Sequence, residues 1–134
     1  MKNGVPGKIL LVDDDLDDLE FYGESLRSAN SSIMIEEEHS GVKALEYLRK
    51  AKKKNALHCL IILDINMPMM NGKETFNEIQ KDRELAAIPL VIFSTAASTP
   101  EEEYFKSQGI KYFKKPHSCK EMEKIAIQLL SHCS

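Results

Sequence analysis

The chain has no tryptophan, and no apolar run in its 134 residues approaches the ~20 needed to cross a bilayer. The opening Met1-Lys2-Asn3-Gly4-Val5-Pro6-Gly7 has no apolar stretch of signal-peptide length. A cytoplasmic protein with no membrane contact is therefore the expectation. There is no basic excess: the net charge is −3, which argues against a general nucleic-acid binder. The one basic cluster, Lys50, Lys52, Lys53 and Lys54, reads as a solvated helix end. Cysteine is sparse and odd in number (Cys59, Cys119, Cys133), with no C-x-x-C pair, so neither a disulfide framework nor a zinc site is suggested. Cys59 sits in an apolar run and reads as core. The four histidines, at 39, 58, 117 and 132, lack ligand spacing. No glycine-rich phosphate loop follows the first apolar run.

What is present is an alternation of short apolar runs with helical patterns, on a chain long enough for one core. Residues 8–13 form a first strand, and Leu16, Leu19 and Leu26 recur at helical spacing behind it, capped and charged by Asp13 to Asp18. Ile33 to Glu37 alternates as a second strand. Ser40 caps a helix marked by Val42, Leu45 and Leu48. Residues 59–64 are almost continuously apolar, as suits a strand covered on both faces. Asn66 to Gly72 is a loop, followed by a helix with Phe76 and Ile79 inward. Leu90 to Phe93 is a fourth strand after Pro89. Pro100 and three glutamates open a fourth helix that Gly109 closes. Ile110 to Phe113 is a fifth strand, and Met122, Ile125 and Leu129 mark a fifth helix. Five strands alternating strictly with five helices predict an α/β fold, a doubly wound parallel sheet between two helical layers. The whole of 1–134 reads as a single domain with no output domain.

Three strands end in polar residues: Asp13-Asp14, Asp64, and Ser94-Thr95. Lys115-Pro116 follows the fifth. In an open parallel sheet the carboxyl ends of the strands share one edge, where ligands bind. Three carboxylates gathered there cannot all ionise unless something compensates. A hard divalent cation would do so, and magnesium favours a few carboxylates plus water and phosphate oxygens. Lys115 and the Ser94 hydroxyl would orient a transferring phosphoryl group. Asp64, alone at the end of a central strand, is the candidate nucleophile.

These residues resemble the receiver domains of two-component response regulators over about residues 7–131. The resemblance is carried by Ile9-Leu10-Leu11-Val12-Asp13-Asp14-Asp15, Leu63-Asp64-Ile65-Asn66-Met67-Pro68-Met69-Met70-Asn71-Gly72, Pro89 to Ala96, and Tyr112-Phe113-Lys114-Lys115-Pro116. It implies a flavodoxin-like three-layer fold with strand order 2-1-3-4-5, the order of the family's chemotaxis member. It implies that Asp64 is the phosphoacceptor, and that Asp13, Asp14, Asp64 and the Asn66 backbone carbonyl hold Mg2+ or Mn2+. Ser94 would be the switch hydroxyl, Lys115 the phosphoryl-binding lysine on a cis bond to Pro116, and Tyr112 the switch aromatic. The implied function is that of a stand-alone regulator, not a conventional enzyme, though it catalyses its own phosphorylation and dephosphorylation. A sensor histidine kinase or a histidine phosphotransfer protein would donate the phosphoryl. A downstream protein would read the face made by the fourth helix, fifth strand and fifth helix, on a monomer or weak homodimer.

Thr95, His117 and Asn71 depart from the commonest family pattern, and together with Asn66 and Ala96 beside the site they bear on the phosphorylated lifetime. The long stretch from Lys50 to Leu57 resembles regulators partnered with phytochrome-type kinases. Two rivals stay open at this point. A haloacid-dehalogenase-like phosphatase would also place a nucleophilic Asp after an apolar strand, but Asn66 stands where its general acid belongs. A phosphorylation-independent interaction module would normally have lost an acidic residue or the lysine.

Overall fold

In a computed structural model, residues 7–67, 69–95 and 100–133 are described. The elements run β1 (Lys8–Val12), α1 (Leu16–Ala29), β2 (Met34–Glu38), α2 (Gly41–Lys53), β3 (Leu60–Asp64), α3 (Gly72–Gln80), α4 (Arg83–Ala86), β4 (Leu90–Ser94), α5 (Pro100–Ser107), β5 (Lys111–Lys114) and α6 (Cys119–Leu130), then a 3-10 turn, Ser131–Cys133. The strands form one parallel sheet in the order β2-β1-β3-β4-β5.

Alternation along the central strands divides the core in two, because successive side chains point to opposite faces. Leu10, Val12, Ile61, Leu63, Leu90 and Ile92 pack against Leu45 and Leu48 of α2, Phe76 and Ile79 of α3, and Phe105 of α5. Ile9, Leu11, Leu60, Ile62, Val91 and Phe93 pack against Leu19, Tyr22 and Leu26 of α1 and Met122, Ala126 and Leu129 of α6. Each such side chain contributes about 1.5–3 kcal/mol of burial, opposed by the entropy of ordering the chain. That continuous burial explains why the β3 and β4 segments read as unbroken apolar runs. Polar caps set where the helices start. The Asp15 side chain accepts from the backbone N–H of Asp17 and Asp18, Ser40 accepts from Lys43, and Ser118 accepts from Glu121. Asn71 and Glu74 exchange a full capping box at α3. Gly109, at φ 74°, turns the chain out of α5 through the left-handed region.

Several expectations need correction. The described residues hold six α-helices rather than five, because α4 is a single turn capped by Asp82 and pinned by buried Leu85. Four residues are too few to display a periodicity. The fourth and fifth helices expected from sequence are thus α5 and α6. Leu16 and Val42 are exposed, and Tyr22 and Ala44 take the inward positions instead. β2 and β5 each lie one residue later than expected. Cys59 and Cys133 form a disulfide, with their Cα atoms 5.3 Å apart across a sequence separation of 74. The 3-10 turn after α6 carries Cys133 to the start of β3, a proximity that no local spacing reveals. Lys115–Pro116 is trans: no peptide bond among the described residues is cis. Trans is the intrinsically preferred isomer even before proline.

Candidate functional site

Because every strand is parallel, the carboxyl ends of β1, β3, β4 and β5 meet at one edge. Asp13 and Asp14 follow β1, Asp64 and Ser94 are the last residues of β3 and β4, and Lys115 follows β5. Backbone hydrogen bonds extend the ladder one step past the strands and hold these residues in register. Asp13 N–H donates to the Glu38 carbonyl (3.1 Å), Ile65 N–H to that of Phe93 (3.1 Å), and Lys115 N–H to that of Ser94 (2.7 Å). Gly72 closes the loop from below: its N–H donates to the Ile65 carbonyl (3.0 Å). A Cβ at Gly72 would lie 2.6 Å from both the Asp64 carbonyl oxygen and Ile65 Cα, so only glycine allows α3 to start this close to the nucleophile candidate.

The sequence-predicted acids converge. Asp13, Asp14 and Asp64 each offer a carboxylate oxygen, all within 4.8 Å of one another. Asp13 and Asp64 are each 3% exposed and Lys115 is 8% exposed, whereas Asp14 faces solvent. Lys115 Nζ lies 3.1 Å from Asp13 Oδ2, 2.8 Å from Asp18 Oδ2 and 3.4 Å from Asp64 Oδ1. Asp13 Oδ1 also accepts from the Asp15 N–H, and Asp64 Oδ1 from the Asn66 N–H (3.3 Å).

One ammonium cannot satisfy this many carboxylates. Burial, then the Asp13 charge, pushes the Asp64 carboxyl up to about 7, although Lys115 and the Asn66 N–H pull the other way. Burial raises Asp13 as well, against the Asp15 N–H and Lys115. Burial acts to lower Lys115, but the hydrogen bond to Asp18 and the Asp64 and Asp13 charges outweigh it and hold the ammonium above its ordinary range. An oxygen-rich cluster with surplus negative charge and one solvent-facing carboxylate suits a hard divalent cation, so the residues present fit Mg2+ or Mn2+.

The remaining predicted residues are Ser94, Asn66 and Tyr112. Ser94 is fully buried at the tip of β4. Asn66 lies in the β3–α3 loop, where its side-chain amide donates to Thr95 Oγ1 at 3.5 Å. Tyr112 is half-buried on β5, packed on the α5 side with its ring centroid 6.3 Å from that of Phe105. Ala96 and Pro68 lie outside the described residues. Sequence reasoning treated Asp18 only as helix-capping charge and missed its bond to Lys115. Its place in the first turn behind a strand-end acid pair was the available signal.

A family model for the response regulator receiver domain matches residues 9–127. A probable cyclic di-GMP phosphodiesterase of Vibrio cholerae is 37% identical over 112 residues, which is 82% of this chain and 23% of that protein. The chain spans only 22–23% of the length of the first curated relatives it matches. Among solved structures, the Mn(2+)-bound form of the response regulator Rcp1 aligns with a TM-score of 0.79 at 26% identity, covering 94% of this chain and 93% of that one. The phosphorylated cyanobacterial phytochrome response regulator RcpA aligns with a TM-score of 0.79 at 28% identity, covering 96% and 94%.

Proposed function

The chain belongs to the response regulator receiver domain family, and from that premise we propose that it accepts a phosphoryl group on Asp64 and signals through the change in shape that follows. The observation carrying this reading is the meeting of Asp13, Asp14 and Asp64 with Lys115 at one sheet edge. In this reading Asp13, Asp14, Asp64 and the Asn66 carbonyl hold Mg2+ or Mn2+, which supplies neutralisation of the phosphoryl oxygens. An Asp64 carboxylate oxygen attacks phosphorus, the bond to the donor's imidazole nitrogen breaks, and an acyl phosphate forms. Lys115 Nζ and the Ser94 hydroxyl take phosphoryl oxygens. Water attack on the acyl phosphate later returns the free carboxylate, so the domain catalyses its own resetting without turning over an external substrate.

Drawing Ser94 toward the phosphoryl shifts the tip of β4 and with it the packing of Tyr112 against Phe105. The face made by α5, β5 and α6 is then presented differently to a downstream protein, which is a population shift between two states. The donor is a sensor histidine kinase or a histidine phosphotransfer protein, met in the cytoplasm by a monomer or weak homodimer. Alignment along nearly the whole chain with two response-regulator structures supports the receiver reading. No helix among the described residues is long and apolar enough to cross a membrane. Incubation with acetyl phosphate and Mg2+ tests the proposal. A hydroxylamine-sensitive gain of one phosphoryl group should appear by intact mass in the natural protein and be absent in Asp64→Asn. Retention of that adduct in Asp64→Asn would overturn the assignment.

A further inference from the structure

Asp18 makes the shortest of the three carboxylate contacts to Lys115, at 2.8 Å, across 97 residues of sequence. The local reason lies in how α1 is capped. Asp18 is the third helical residue, where a carboxylate commonly folds back to the N-cap backbone N–H. That is what Glu74 does at α3, accepting from the Asn71 N–H at 3.0 Å. At α1 the N-cap N–H, that of Asp15, is already taken by Asp13 Oδ1 at 2.9 Å. The Asp18 carboxylate is thereby released from capping, while its own backbone N–H is held by the Asp15 side chain at 3.2 Å. Fixed at its root and free at its tip, it reaches across the strand ends to the lysine.

We propose that Asp18 is a positioning residue that anchors the Lys115 ammonium and aims it at the phosphoryl acceptor, Asp64. This rests on the phosphoryl-transfer reading of the site. An ammonium has three N–H donors, and three carboxylates stand around this one, those of Asp18, Asp13 and Asp64. Asp18 alone of the three lies outside the acidic trio suited to a cation. When Asp13 and Asp64 turn their oxygens to other partners, Asp18 still holds the lysine in place. Asp18 lies outside the acidic trio and reaches Asp64 through Lys115, although its charge also raises Asp13.

The test compares Asp18→Asn, Asp18→Glu and Asp17→Asn with the natural protein, in phosphorylation by acetyl phosphate over a range of donor concentrations with saturating Mg2+. Asp17 is the control: it is exposed in the same helical turn and carries the same charge. Loss of an anchor lowers the rate at saturating donor, by about tenfold if one charge-assisted hydrogen bond is lost. Loss of charge alone instead lowers the donor concentration needed for half-saturation, since the donor is an anion. Asp18→Asn should show the fall in saturating rate, Asp18→Glu should recover most of it, and Asp17→Asn should show only the second effect. An independent arm measures hydrogen exchange of the Lys115 ammonium by NMR, which should quicken about tenfold in Asp18→Asn as one donor is freed. A natural saturating rate in Asp18→Asn, an equal fall in Asp17→Asn, or unchanged ammonium exchange would each overturn the proposal. If the natural protein takes no hydroxylamine-sensitive phosphoryl, the function assigned to Asp64 fails by itself, and the exchange arm still decides whether Asp18 anchors Lys115.

Discussion

Removing the Cys59–Cys133 bond by reduction or by Cys133→Ser releases a chain segment that the bond closes over a sequence separation of 74 residues. In the chain-entropy account, closing a loop of that length restricts the unfolded chain by about 15 cal/mol/K, which is ~4.5 kcal/mol at 25 °C. Two features bear on how much of this is realised. The Cα separation of 5.3 Å lies within the span that disulfides ordinarily bridge, so the backbone need not distort. The Cys59 sulfur also lies 3.1 Å from the Lys8 carbonyl, so a reduced thiol has an acceptor waiting and is not stranded. Residual structure in the denatured chain trims the effect further, and a net loss of about 3–4 kcal/mol is expected. For a domain of this size that lowers Tm by roughly 10–20 °C. The assay is thermal unfolding followed by circular dichroism, with and without reductant, on the natural protein, Cys133→Ser and Cys119→Ser. Reductant should bring the natural protein down to the Cys133→Ser value and leave Cys133→Ser where it is. Cys119→Ser, which removes the exposed free cysteine, should behave as the natural protein. A Cys133→Ser melting point within 2 °C of the oxidised protein, or peptide mapping without a Cys59–Cys133 link, would refute the reasoning.

Asp64→Asn should stabilise the cation-free protein at alkaline pH. The Asp64 carboxyl, ordinarily near 3.8, is pushed up to about 7 by burial and by Asp13, so folding is penalised once it must ionise. The stability tied to it is intact below about pH 4 and lost as pH rises through about 7. The span caps the gain from the substitution at ~4 kcal/mol. Urea unfolding with EDTA at pH 8 and pH 4 should show a gain of about 2–3 kcal/mol at the first and none at the second. Mg2+ affinity should rise with pH up to about 7 and then level, because binding must displace the Asp64 proton. Calorimetric titration at pH 6 and 8 checks this, and a pH-independent affinity would count against it. Gly72→Ala forces a Cβ to within 2.6 Å of backbone at Asp64 and Ile65. It should cost about 2–3 kcal/mol in denaturant unfolding and slow phosphorylation in the fraction that folds.

The fold was legible because its strands are short, buried on both faces and separated by helices with polar caps. Residues 60–64 and 90–94 could hardly be anything but central strands. The acid pair, Asp64, Ser94 and Lys115 were legible as a group once the strands were placed, since parallel topology leaves their ends no other edge to share. What stayed hidden depends on contacts between distant parts of the chain. Cys133 meets Cys59 only because α6 lies along one face of the sheet and a 3-10 turn follows it. Asp18 meets Lys115 only because the Asp15 N–H is diverted to Asp13. Leu16 proved exposed and Tyr22 buried because apolar type alone does not say which side of α1 meets the sheet. The single turn of α4 is held by Leu85 rather than by any repeating pattern.

The polar and charged residues at the sheet edge are borne by four different strands, and none of those strands alone holds a working set. β5 contributes the cation yet sits at the far end of the sheet, joined to it only through β4. A chain still unfinished in its last strand would carry its acids without the lysine that answers them. If Asp64 takes a phosphoryl group as proposed, that competence arises only once the final strand has docked. On that reading, partly unravelled copies would lack the lysine and compete poorly for the donor.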